Sequence, residues 1–287
     1  MSLIGSRLSI MLAIVPMMAG AQSYSGPESI EFHARSNRYL VSNTSSGTIL
    51  ARAADGSLSE FTSAPSSPYG IELLAGTLFV LDSGRVKGYD IDSAAPVMDL
   101  ALSGASFLNG ITSNGVDTLY ISDFSARKIY SVNIADLAAP IQGTPVSTGT
   151  STPNGVAYDR LGNRLLIATW SSNAKVLSLD LISGATPAAL INTTLANIDG
   201  IALDCNGAIV VAAWSGCGAS GGCLRRFDPP FSLTSLPQVI ANGLASPADI
   251  DYNRVSGDIA VPQSGNNTVS FHPSGCAAAL FTDDFER

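Results

Sequence analysis

The chain has 287 residues, 46% of them hydrophobic and 13% charged. That is enough apolar material for a sizeable core and excludes a disordered chain. The formal net charge of −8 argues against nucleic acid and anionic membrane surfaces as partners.

Residues 1–21, MSLIGSRLSIMLAIVPMMAGA, combine Arg7, a short apolar run from Leu8 to Met18 and an Ala19-Gly20-Ala21 end. This is the pattern of a secretory signal peptide, and the run is shorter than the ~20 residues of a membrane span. Cleavage after Ala21 leaves a chain of 22–287 with 14 basic and 23 acidic residues. The expected location is secreted or periplasmic. No later stretch is long and apolar enough to span a membrane.

After the leader, one pattern recurs. It is PESIEF (27–32), PYGIEL (68–73), LNGITS (108–113), PNGVAY (153–158), IDGIAL (198–203) and PADIDY (247–252). The aligned branched residues Ile30, Ile71, Ile111, Val156, Ile201 and Ile250 lie 41, 40, 45, 45 and 49 residues apart. Each copy opens an alternating strand. A turn such as DCNG (204–207) follows, then a second strand such as AIVVAAW (208–214), a third such as AKVLSLDL (174–181) and a looser fourth segment. No convincing helical period interrupts them. Four short strands per unit of 40–49 residues, six units in all, predict a six-bladed all-β propeller of four-stranded antiparallel blades. It fills 22–287 as one domain and is expected to be monomeric. CAAALF (276–281) reads as the outer strand of the last blade, and no exchanged closing strand is evident. A β-solenoid is the rival reading, but its repeats are usually shorter.

The first strand of each propeller blade lines the central channel. Two residues before the aligned branched position stand Glu28, Tyr69, Asn109, Asn154, Asp199 and Ala248. Four of these six present oxygen donors to one axis. Two carboxylates across a narrow channel repel unless something lies between them. An all-oxygen set with two negative charges suits a hard divalent cation, calcium before magnesium. The competing reading is that Asn-Gly and Asp-Gly are ordinary turn dipeptides. Glu28 weighs against it, because Glu is not a favoured turn residue and no Gly follows.

The sequence resembles the gluconolactonase/senescence-marker-protein (regucalcin-like) family of six-bladed propellers. The resemblance covers most of residues 22–287 and is strongest in PNGVAYDRLGNRLLIAT and DGIALDCNGAIVVAAWSG. It implies a metal held by Glu28, Asn109, Asn154 and Asp199, hydrolysis of a small lactone or ester, and a catalytic role for Asp199. Sugar-lactone members carry an Arg two residues before the first pocket Asn, where this chain has Phe107. With Tyr69, Trp170 and Trp214 near the mouth, Phe107 marks a more apolar substrate pocket. The rival class is a non-catalytic propeller that binds a protein or glycan through loops on one face.

The remaining motifs read as structural. GCGASG (216–221) fits a dinucleotide fingerprint, but it runs into the strand CLRRF rather than a helix. There is no G-x-S-x-G elbow. His33 and His272 fall on strands away from the mouth, and Asp82 and Asp123 read as turn caps. The four cysteines form an even set in an exported chain. Cys217–Cys223 would staple the glycine-rich loop, leaving Cys205 to pair with Cys276.

Overall fold

In the computed structural model, residues 22–276 are described. The leader over 1–21 and the outer strand expected beyond Cys276 lie outside them. The described strands form six antiparallel sheets arranged as a six-bladed propeller. Four blades have four strands in consecutive order. In the third blade the fourth strand is split into Ile141–Gln142 and Val146–Ser147, both pairing with Lys128–Asn133. The sixth contributes three strands among the described residues. The loop carrying GCGASG joins Ile209–Ser215 to Gly222–Phe227, two strands of one sheet.

The inner strands are Pro27–His33, Pro68–Leu74, Leu108–Ser113, Pro153–Asp159, Ala196–Leu203 and Asp251–Tyr252. Each contacts the inner strand of the next blade, and the first also contacts the last, so the ring is closed. Among the described residues, closure comes from packing and polar contacts between the first and sixth blades. Ile30, Tyr39 and Val41 of the first blade bury against Ala260 of the sixth, with Phe32 and Phe271 alongside. The Phe32 N–H donates to Asp251 Oδ2 at 2.9 Å, and Asn253 Nδ2 donates to the Tyr39 hydroxyl at 2.6 Å. The middle strands alternate between the two sheet-to-sheet interfaces. Leu78, Phe79, Val80 and Leu81 are all fully buried because both faces of a blade pack on neighbours.

Both expected cysteine pairs are bonded, Cys205–Cys276 with Cα atoms 6.2 Å apart and Cys217–Cys223 at 6.0 Å. The first ties a turn of the fifth blade to the end of the described chain across 71 residues of sequence. In the chain-entropy account a loop of that length stabilises by about 4 kcal/mol. Two disulfides are consistent with an oxidising compartment. Thiol labelling of the denatured, unreduced protein should therefore find no free cysteine. Four labelled cysteines in protein taken from an oxidising compartment would refute the pairing. No helix among the described residues is long and apolar enough to cross a membrane.

Candidate functional site

The register that places the site is created by a repeated irregularity. In the first, second, fourth and fifth blades the ladder between the inner and second strands slips just before the aligned branched residue. The slips fall between Pro27 and Ile30, Pro68 and Ile71, Pro153 and Val156, and Ile198 and Ile201. In the third blade it falls between Ile121 and Asp123 on the facing strand. Such a bulge re-aims the residues it contains. Its amides are held by buried hydroxyls: Ser42 Oγ accepts from the Ser29 N–H, and Ser122 Oγ from the Gly110 N–H.

The glycines that follow Tyr69, Asn109, Asn154 and Asp199 are explained by packing. A Cβ on Gly70, Gly110, Gly155 or Gly200 would lie 2.4–2.6 Å from the next blade's carbonyl oxygen, on Asn109, Asn154, Asp199 and Ala248 respectively. None of the four is among the positive-φ residues. Asn-Gly and Asp-Gly are therefore not turn dipeptides here. Glycine lets neighbouring inner strands approach, and the preceding side chain stands on the bulge.

Glu28, Asn109, Asn154 and Asp199 are all buried, with at most 9% of each exposed. Three of their oxygens have no hydrogen-bond partner: Glu28 Oε2, Asn154 Oδ1 and Asp199 Oδ1. Buried polar atoms are rarely left this way. The second oxygen of Asp199 is occupied, because Trp214 Nε1 donates to Oδ2 at 2.9 Å. Burial pushes the Asp199 carboxyl up to about 7, against the pull of the Trp214 indole and the Asn154 amide. Glu28 is raised well above the usual carboxylate range by burial, then by the negative charges of Asp199 and Asp249. Unpartnered oxygens on mutually repelling acids fit a hard cation.

Sequence reasoning missed part of the channel. The sixth register position, Ala248, offers only a methyl group, but the next residue supplies an acid. Asp249 occupies the position that is glycine in four other blades. The inner strand of the sixth blade is irregular there, regular pairing beginning only at Asp251. The Asp249 N–H donates to the Glu28 carbonyl at 2.8 Å, and its Oδ2 accepts from Ser29 Oγ at 3.0 Å. Burial pushes its carboxyl up to about 8, the nearby Asp199 adding to the rise. Among the described residues no three His, Cys, Asp or Glu side chains converge closely enough to hold a metal ion. The candidate donor set thus remains two carboxylates and two amides, with the Asp249 carboxylate tied to Ser29 beside them. Glu31, Glu72 and Asp251 follow the aligned branched residue in the first, second and sixth blades and form a further acidic group. Burial raises Glu31 well above its ordinary value, Glu72 to about 7 and Asp251 to about 6. The signal was present as Ile-acid pairs in PESIEF, PYGIEL and PADIDY.

The four predicted pocket aromatics are brought together, joined by one that was not predicted. Tyr69 meets Phe107 edge-on at 4.8 Å, and Phe107 meets Phe124 at 5.6 Å. Phe124 meets Trp170 at 5.9 Å, and Trp170 meets Trp214 at 4.9 Å. The five rings form a continuous arc over the second to fifth blades, and its last member holds Asp199. Asp123 and Asp82 are turn caps as expected. Asp123 accepts from the Ser106, Phe107 and Ala126 N–H groups, and Asp82 from those of Ser66 and Ser67. The histidines have local partners. His33 Nδ1 pairs with Ser36 Oγ and His272 Nε2 with Ser270 Oγ.

No family model matches the chain, and no curated protein matches it by sequence. Solved structures do. A gluconolactonase of Xanthomonas campestris superposes with a TM-score of 0.68 at 13% identity, over 88% of this chain and 87% of that one. A virginiamycin B lyase of Staphylococcus aureus gives 0.59 at 12% identity, over 89% and 86%. The propeller domain of Swd1 from Myceliophteria thermophila gives 0.60 at 10% identity, over 91% and 88%. At these identities the likeness bears on the fold alone, and the count of six blades rests on this chain's own six sheets. One fold hosts many functions, so function is decided by the residues of the site.

Proposed function

We propose that the protein is an exported hydrolase of a small lactone or ester, using a divalent cation of the calcium type on the propeller axis. The observation that carries this reading is the set of unpartnered buried oxygens on Glu28, Asn154 and Asp199. A purely scaffolding or protein-binding propeller has no need of them, and each costs about 1–3 kcal/mol if left unsatisfied. Glu28, Asn109, Asn154 and Asp199 would hold the cation, whose chemistry is to polarise an ester carbonyl. Asp199, with one oxygen tied to Trp214, keeps the other for orienting a water or attacking the acyl carbon. The aromatic arc excludes water on one side and favours an apolar or aryl substituent over a hydroxylated sugar ring. The superposition on a gluconolactonase supports the same class.

Metal analysis of the purified protein, followed by a panel of γ- and δ-lactones and aryl esters with and without calcium, tests the proposal. About one divalent ion per chain and calcium-dependent turnover, higher for phenyl esters than for sugar lactones, are the expected results. A protein that binds no divalent ion and turns over nothing in the panel would instead be a binding propeller.

A further inference from the structure

Trp214 does more than line the mouth. The residue is 36% exposed, yet its indole nitrogen reaches a buried carboxylate. The segment beyond it is fixed from several directions. Gly216, at φ +77°, lies so close to the backbone of Thr194–Ala196 that a Cβ would meet it at 2.5–2.8 Å. Cys217 is bonded to Cys223. The guanidinium of the buried Arg225 donates to the Cys217 carbonyl at 2.7 Å and to Asn242 Oδ1 at 2.7 Å. Trp170 packs edge-on against the indole from the neighbouring blade. Glycine, disulfide, arginine and a second tryptophan together leave the indole little freedom, so its N–H acts as a fixed donor.

We propose that Trp214 is the positioning residue for Asp199 and couples the apolar wall to the reacting carboxylate. This rests on the reading of Asp199 as the site acid. The two oxygens of that carboxylate are made unequal. Oδ2 is held by the indole at 2.9 Å, and Oδ1 is the one left without a partner. Rotation of the carboxylate would break the Trp214 bond, so the indole, with the Asn154 amide also acting on the group, sets the direction in which Oδ1 points. A flat apolar substituent packed on the exposed ring would be placed by the same side chain that aims the acid. The substrate class this selects is a compact ester or lactone bearing an aryl or planar apolar group.

The chain contains only two tryptophans, and both belong to this site, so the two indole N–H resonances report on it directly. With Trp170→Phe used for assignment, Asp199→Asn in metal-free protein should move the Trp214 indole resonance far more than that of Trp170. Adding calcium to the wild type should also move it. In turnover of phenyl esters, Trp214→Phe keeps a ring but loses the donor. It should lower kcat about 10- to 100-fold, the worth of a hydrogen bond to a charged group, with KM changed by less than about 3-fold. Trp170→Phe should chiefly raise KM. An indole resonance indifferent to Asp199→Asn overturns the inference, as does a Trp214→Phe enzyme with wild-type kcat. In either case a calcium-dependent wild-type activity leaves the hydrolase reading standing. A wild type that binds no calcium and turns over nothing removes the reading and the positioning role with it. Should Trp214→Phe fail to fold, the resonance experiment decides, since it leaves Trp214 in place.

Discussion

Asp199→Asn is expected to abolish turnover while leaving the propeller intact. The substitution keeps the shape of the side chain and an oxygen that can accept from Trp214 Nε1. It removes the negative charge and any capacity to take a proton or attack. Losing a positioned base costs about 10²- to 10⁴-fold, and losing a cation-holding charge in the same step puts the effect at or beyond the upper end. Folding should not suffer, because the wild-type carboxylate is buried and strained toward protonation, with a pKa of about 7. The control is Tyr69→Phe. Tyr69 stands at the equivalent position of the second blade and packs on Phe107, and removal of its hydroxyl should act mainly on KM. Steady-state kinetics on one lactone and one aryl ester, with thermal melts of each variant, make the comparison. An Asp199→Asn enzyme that retains its kcat would show that the acid of this site lies elsewhere.

The fold was legible because one side-chain requirement repeats. Every inner strand needs a branched residue at the aligned position and closeness to the next strand, and four blades meet the second need with glycine. That spacing alone revealed six units and put Glu28, Asn109, Asn154 and Asp199 in one register. Asp249 escaped because register reasoning assumes identical strands. The sixth inner strand is interrupted where this acid replaces the usual glycine, so its carboxylate arrives one residue late. Phe124 escaped for another reason. It lies just beyond a second strand, at the position held by Trp170 and Trp214 in the fourth and fifth blades, but Thr44 and Ser83 stand there in the first two, so the position does not read as aromatic across the repeat. Only the chain of ring contacts from Tyr69 to Trp214 gives it a role. The Trp214–Asp199 bond was equally hidden, because a hydrogen bond from a second strand to a first depends on a rotamer that no spacing encodes.

The channel acids lead to the second large effect, a stability that falls as pH rises until a cation is supplied. Asp199, Asp249, Glu72 and Asp251 have carboxyls raised to about 7, 8, 7 and 6, and Glu28 and Glu31 are raised as well. Burial is the main cause in each. In the unfolded chain these groups titrate near pH 4. Between about pH 4 and 8 the folded protein therefore binds more protons than the unfolded one. The slope of unfolding free energy against pH is proportional to protons bound unfolded minus folded, so it is negative throughout that window. The stabilising contribution is fully present below pH 4 and is lost as pH passes through the folded values. Asp82, lowered to about 2 with Lys87 and backbone N–H groups around it, has the opposite sign, but its contribution changes only below about pH 4. Metal-free protein should thus melt at a lower temperature at pH 8 than at pH 5. Calcium should have little effect at pH 5, where protons already neutralise the site. At pH 8, calcium at ~100 times its dissociation constant should add about 2.7 kcal/mol, or on the order of 5–10 °C in Tm for a chain of this size. Asp249→Asn separates the two contributions. Asp249 stands outside the donor set, so the variant should raise the metal-free Tm at pH 8 while keeping most of the calcium response. Melting curves from pH 5 to 8, with chelator and with calcium, give the answer. A metal-free Tm that rises across this range would show that the channel carboxylates are solvated and already ionised in the folded protein, and the case for a cation between them would lose its electrostatic basis.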